Sequence, residues 1–210
     1  YRYVGAGGTV PRPTKIGPAM MFNNIKGHPD SKVVIGLLAS RKRVGYLLNY
    51  DYKKLGFLLK DAVKNPIDPV VIKEKPVCQE VVHLATDEGF DIRKLVPAPT
   101  NTPEDAGPYI TLGMCYASDV ETGESDVTIH RLCLQSKDEI SMFFTPGARH
   151  LGAFREKAEA LGKPLPISIS IGVDPAIEIA ACFEPPTTPI GFDELSIAGA
   201  IRGKAVELAP

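Results

Sequence analysis

No stretch of this sequence stays apolar for the roughly 20 residues that a membrane-spanning helix needs, so no span is expected. A positive excess is missing too. Twenty-four lysines and arginines stand against 25 aspartates and glutamates, a net charge of −1. No basic field is therefore available to draw in nucleic acid, and no polybasic patch to meet a membrane surface. Cysteine is scarce: Cys78, Cys115, Cys133 and Cys182, with no C-x-x-C pair among them. That spacing argues against zinc frameworks and disulfides, and buried, unpaired thiols in a reducing cytoplasm are expected. Repeats and low-complexity tracts are absent. The one glycine-rich run, GAGG, has no strand before it and no helix signal after it, so it does not read as a nucleotide loop. A starting methionine and a signal peptide are lacking at Tyr1, and the last residues, GKAVELAP, read as a strand set to continue. An excerpt of a longer chain is expected.

What is present is ordinary globular material. Hydrophobic residues make up 44% and charged residues 23% of the 210, enough for one large or two small domains with buried cores. Nineteen glycines and 19 prolines predict frequent turns and short helices. PAMMFNNI and KVVIGLLAS read as two strands around the turn KGHPDS. Helical periodicity starts at Arg41. Leu55, Leu58, Leu59, Ala62 and Val63 then fall at the spacing of one buried stripe, which Asn65-Pro66 closes. VVIKE and PVCQEVVHL read as further strands. Residues 1–95 thus predict a small N-terminal α/β unit, bounded by the proline-rich seam VPAPTNTPEDAGPY.

Beyond that seam the pattern changes. YITLGMCYASD, SDVTIHRLCLQ and DEISMFF read as consecutive antiparallel strands with turns at ETGE and SKDE. Leu151, Phe154, Ala158 and Leu161 mark one face of a helix that Gly162 and Pro164 end. PISISIGV alternates strictly, and a short helix near DELSIAGAI completes the set. The fold class expected is α+β. Residues 96–210 are expected to form a split β-barrel with one lateral helix, able to cup a flat aromatic cofactor.

A handful of polar residues stand out within these elements. Arg131 lies in a strand with Ile129 and Cys133 at same-face spacing, where an arginine needs an anion, an internal salt bridge or a route to solvent. His130 points to the opposite face. His150 starts a helix after a Pro-Gly turn, where backbone donors also suit phosphate; a half-exposed helix-start histidine is the plainer alternative. Glu194 occupies the first turn of a helix, where an acid suits the dipole in any case. Asp126 sits at a turn-to-strand junction and also reads as a turn residue. Asp126, His150 and Glu194 together would make an O/N/O ligand set for manganese, magnesium or zinc.

Several longer segments resemble one family. FNNIKGHP, DAGPYITLG, RHLGAFREKAEALGKPLPISISIGVDPAI and GAIRGKAVEL occur in the order in which similar segments occur in the UbiD family of prenylated-flavin decarboxylases. TIHRLC, ACFEPPTTPIG and AGGTVPRPTKIGPAMMFN look most like its hydroxybenzoate branch, whose members act on acids such as protocatechuate or 4-hydroxybenzoate.

The resemblance implies reversible, non-oxidative decarboxylation with prenylated FMN. It implies a divalent metal, usually manganese, held at Asp126, His150 and Glu194 against the cofactor phosphate. The family's Asn falls on Asp126, which adds a negative charge there. It further implies a flavin site at Thr128, Ile129, His130, Arg131 and His150, with Arg131 catalytic and the two acidic partners of that arginine beyond Pro210. A potassium ion near Ala181-Cys182-Phe183, a separate prenyltransferase that supplies the cofactor, a homo-oligomer and a cytoplasmic location complete the expectation. Two other readings stand beside it: a split-barrel flavin oxidoreductase that uses nicotinamide, and a cofactor-binding fragment without turnover. Asp126 and Arg131 are five positions apart, on opposite faces of an ideal strand, so a bulge or a late strand start is expected if both serve one site.

Overall fold

A computed structural model describes residues 18–144 and 150–210, with the side chain of His150 outside the description. The described residues begin with a short antiparallel pair, β1 (Met20–Phe22) and β2 (Val33–Ile35), with Met20 opposite Ile35 and Phe22 opposite Val33. The expected KGHPDS turn lies between them. Helix α1 (Arg41–Leu47) follows, and the Arg43 guanidinium donates back to the carbonyls of Leu37 at 2.8 Å and Gly36 at 3.0 Å. The chain then doubles back. Asn49 adopts a left-handed φ of 49°, and the returning backbone passes so close to Gly45 that a Cβ there would sit 2.7 Å from Tyr50 O. One 3-10 turn (Tyr52–Lys54), capped by Asp51, leads into α2 (Leu55–Lys64). Leu55 and Ala62 are buried in it and Leu58, Leu59 and Val63 are half-buried, the stripe that the spacing predicts.

Strand β3 (Val70–Val71) is only two residues long and pairs in parallel with residues 207 and 208. The strand expected at PVCQEVVHL does not form. Val77–Gln79 is a 3-10 turn, and Val77, Val81, Val82 and Leu84 are 56–86% exposed. A strand requires a ladder to satisfy its amides, and apolar composition alone provides none. Asp91 caps the short helix α3 (Ile92–Leu95) and grips Arg93 through both carboxylate oxygens, at 2.9 and 2.8 Å.

The central element is a four-stranded sheet. It contains β4 (Tyr109–Ser118), β5 (Ser125–Leu134), β6 (Ile140–Met142) and β7 (Ser168–Ser170), in the order β6-β5-β4-β7. The expected ETGE turn links β4 to β5. Asp119 Oδ1 accepts from the amides of Glu121 (2.8 Å) and Thr122 (3.1 Å), and Gly123 supplies a φ of 76°. Lys157 Nζ clasps both Asp119 oxygens at 3.0 and 2.9 Å, which fixes helix α4 (His150–Ala160) to that turn. Leu151, Phe154 and Ala158 of α4 are at most 2% exposed. Leu161 is not on that buried face: it is 44% exposed, because the helix has ended at Ala160 and the chain turns through Gly162 at φ 64°.

Two helices close the chain. Asp174 caps α5 (Pro175–Ala180) by accepting from Ala176 N. Asp193 caps α6 (Glu194–Arg202), and Gly203 at φ 70° terminates it. Arg202 pairs with Asp174 at 3.2 Å. The segment Ala176–Ala180, apolar in sequence, is thus helical. Strand β8 (Glu207–Leu208) completes the pair with β3.

The described residues fall into two compact units. One comprises residues 18–55, 83–110 and 132–141; the other comprises 56–82, 111–131, 142–144 and 150–210. The architecture is mixed α and β. The described strands form one four-stranded and two two-stranded sheets, and no closed barrel is found among them. No disulfide joins the four cysteines among the described residues, but burial holds only for Cys115 and Cys133; Cys78 and Cys182 are exposed. Cys78 lies in the 3-10 turn that replaces an expected strand, and Cys182 lies just past α5. Among the described residues no helix is long and apolar enough to cross a membrane.

Candidate functional site

The most unusual burial in the molecule is of charge. Glu194, first residue of α6, is 1% exposed, and Asp126, second residue of β5, is 4% exposed. Local capping chemistry brings them together. Asp193 accepts from Leu195 N at 2.8 Å to start α6, and its other oxygen accepts from Ser125 Oγ at 3.0 Å, across 68 positions of sequence. Strand start and helix start are thereby tied, and the next residue of each, Asp126 and Glu194, is buried beside its counterpart.

The Asp126 carboxyl lies close enough to Glu194 to raise its pKa. Two carboxyl groups buried side by side disfavour a second charge. Burial, then the Asp126 carboxyl, push Glu194 up to about 9. Burial also raises Asp193, with the neighbouring Asp126 and Asp68 carboxylates adding to it and the bonds from Leu195 N–H and Ser125 opposing it. Thr188 stands near enough to Glu194 to pull its pKa slightly back. The approach still falls short of hydrogen-bond geometry: Thr188 Oγ1 and Glu194 Oε2 are both buried without a hydrogen-bond partner among the described residues. A buried anionic cluster with an unsatisfied oxygen suits a hard cation with oxygen ligands.

Of the three expected metal ligands, the structure thus brings Asp126 and Glu194 together. His150 opens α4, and its side chain lies outside the described residues. Among the described residues no group of three or more His, Cys, Asp or Glu side chains is arranged to hold a metal.

The expected flavin-facing residues divide by strand face. Asp126 lies within β5, not ahead of it. Alternation puts it with Thr128 and His130, 2% and 8% exposed. Ile129 is half-buried and Arg131 exposed on the other side of the strand, so the desolvation argument for an anion beside Arg131 does not apply here. The His130 ring meets Phe144 at 5.3 Å between centroids, tilted by 56°. The Arg155 guanidinium lies 5.2 Å from the Phe144 ring centre.

Sequence reasoning missed Phe144, Arg155, Asp193 and Thr188. For Asp193 a signal existed, an aspartate just before a helical run, which is the usual capping residue. Nothing local marks the other three. A separate cleft of about 380 Å³ is lined by Tyr116, Ala117, Ser118, Pro166, Ile167 and Ser168, none of them a candidate residue.

Comparison with known proteins gives this geometry a context. Residues 70–210 match the family model for the 3-octaprenyl-4-hydroxybenzoate carboxy-lyase Rift-related domain, UbiD. Residues 9–63 match the corresponding N-terminal domain. The chain is 59% identical over 209 residues to gallate decarboxylase of Lactiplantibacillus plantarum, covering 99% of this chain and 43% of that protein. It superimposes on apo 3,4-dihydroxybenzoic acid decarboxylase (AroY) of Klebsiella pneumoniae with a TM-score of 0.85 at 57% identity, over 97% of this chain and 42% of that one. An evolved dimeric form of the UbiD-class enzyme HmfF of Pelotomaculum thermopropionicum, in complex with prFMN, superimposes with a TM-score of 0.83 at 32% identity. All of this chain and 46% of the HmfF chain are covered. The chain therefore spans less than half the length of each of these relatives.

Proposed function

Because this chain belongs to the UbiD family, we propose that the protein it represents is a carboxy-lyase that removes carbon dioxide from a hydroxylated benzoic acid, reversibly and without net oxidation. The 59% identity to gallate decarboxylase and the resemblance to AroY support the substrate class. The single observation that carries the site is the buried Asp126–Glu194 carboxyl pair with Glu194 Oε2 unpartnered. That orphaned oxygen and acidic donor set fit a divalent cation, manganese or a similar hard ion.

In this reading Asp126, His150 and Glu194 hold the cation, and Thr128, Ile129, His130, Arg131 and His150 contact the flavin. A potassium ion near Ala181–Phe183 and a prenyltransferase that supplies the cofactor belong to the same reading, as do a homo-oligomer and a cytoplasmic site of action. Residues 96–210 would form the split barrel, and residues 1–95 the N-terminal unit. Prenylated FMN, when bound, supplies the electron sink that an aryl carbon losing carbon dioxide lacks among protein side chains. Arg131 pairs its planar guanidinium with the substrate carboxylate and orients it. A divalent cation held by Asp126 and Glu194 would keep these buried charges paired rather than isolated.

The test is the full-length protein produced together with a flavin prenyltransferase. Gallate, protocatechuate and 4-hydroxybenzoate are offered in turn, with carbon dioxide release measured alongside the mass and absorbance of the extracted cofactor. Release of carbon dioxide that requires both the modified flavin and the metal supports the proposal. Oxidation of NAD(P)H without release would assign a flavin reductase instead.

A further inference from the structure

The loop from Cys182 to Asp193, between α5 and α6, is exposed or half-buried at every position but one. Thr188 has no exposed surface. Its backbone position is set independently of its side chain. The amides of Thr187 and Thr188 donate to Glu184 O at 2.9 and 3.3 Å, and Phe192 N donates to Pro189 O at 3.0 Å. At Gly191, φ is 89°, and a Cβ would sit 2.8 Å from Glu124 Oε1, so the loop rests against the end of the β4–β5 turn. The Ser125–Asp193 bond closes it.

A threonine turned inward from such a loop with its hydroxyl unsatisfied is costly and calls for a reason. Glu194, the carboxyl on which Thr188 acts, carries a second unsatisfied atom, Oε2. One group is a donor and the other an acceptor only. We propose that Thr188 is a positioning residue, whose hydroxyl, unsatisfied in the metal-free form, donates to the Glu194 carboxylate when the divalent cation is bound and fixes its orientation toward that cation. Such outer contacts hold a ligand's rotamer and govern metal affinity. The inference rests on the cation reading above and adds a residue that reading does not need.

Full-length protein stripped of metal separates the two. Manganese affinity is measured by the electron paramagnetic resonance of free Mn²⁺, for wild type, Thr188→Val and Thr188→Ser, with the thermal midpoint of each metal-free form. The expected result is about a tenfold loss of affinity in Thr188→Val, recovery to within about twofold in Thr188→Ser, and a metal-free midpoint in Thr188→Val no lower than wild type, since an unsatisfied hydroxyl has been removed. Unchanged affinity in Thr188→Val beside a wild type that binds manganese overturns the positioning role alone. A lowered metal-free midpoint with no rescue by serine overturns it in favour of packing. A wild type that does not bind manganese overturns the cation reading and this inference with it.

Discussion

Two glycines in two helices should respond with opposite signs to the same substitution. Gly199 lies in α6, in the helix that begins with Glu194, and a Cβ placed on it would collide with Ile67 O and lie 3.3 Å from both Ile67 C and Ile67 Cβ. Three positions earlier in α6, Ser196 O accepts from Ile67 N at 3.0 Å, so the contact is made by backbone on backbone and cannot relax by a rotamer change. Gly199→Ala gains about 1 kcal/mol of helix propensity. It costs about 1–3 kcal/mol of overpacking, and about 1 kcal/mol more if the Ile67–Ser196 bond is lost. With that bond lost the collision wins, and a net loss of about 1–3 kcal/mol is expected. Gly56, in the first turn of α2, has nothing within 4 Å of its notional Cβ. Gly56→Ala keeps only the propensity gain, about 0.5–1 kcal/mol. Urea unfolding with unchanged m-values should place the two variants on opposite sides of wild type. At this chain length 1 kcal/mol moves a thermal midpoint by about 2–4 °C. A Gly199→Ala protein as stable as wild type would refute the close approach of α6 to Ile67, and with it the seating assigned to Glu194.

Asp126→Asn removes one of the two buried charges while keeping an oxygen ligand, and because ligand charge sets affinity in oxygen sites the full-length variant should bind manganese about tenfold more weakly; equal affinity by calorimetry would show that the Asp126 charge does not set that affinity. Arg131→Lys should retain flavin but lose turnover about tenfold or more, because an ammonium cannot make the planar two-pronged contact, and near-normal kinetics would remove Arg131 from the mechanism. The bond from Lys157, with the amides of Glu121 and Thr122, holds Asp119 down to about 2, against a usual 3.8. A depressed carboxylate contributes stability that is present above about pH 4 and is lost as pH falls toward about 2. Acid titration of the fold by circular dichroism should therefore find Lys157→Met less stable than wild type above about pH 4, with the difference closing near pH 2; parallel curves throughout would contradict the clasp.

Local patterning was readable wherever the chain satisfied itself locally. The strands within residues 109–134, the turns around Gly123 and Ser136–Glu139, and the Leu151–Phe154–Ala158 face all follow from spacing and turn chemistry. Apolar composition misled at Val77–Leu84, where valines lie exposed because no neighbouring strand offers a ladder. The face assigned to α4 ran one residue too far, since Leu161 follows the last helical turn. In the site, the approach of Asp126 to Glu194 depends on the Ser125–Asp193 bond, made between residues far apart in sequence. Thr188, Phe144 and Arg155 are invisible for the same reason: each takes its meaning from a neighbour that only folding supplies. The resemblance carried what spacing could not, and it concerned residues as types, not the carboxyl pairing or the stack on Phe144.

The four thiols, two outside and two inside, carry a practical consequence. Cys115 is fully enclosed and its thiol is pushed up to about 11 by burial, so at neutral pH it is both shielded and uncharged, while Cys78 and Cys182 face the solvent. An alkylating probe would consume the outer pair at once and then wait on the sheet to breathe. The lag for the inner pair is a native stopwatch for β4 and β5, obtained without introducing any label.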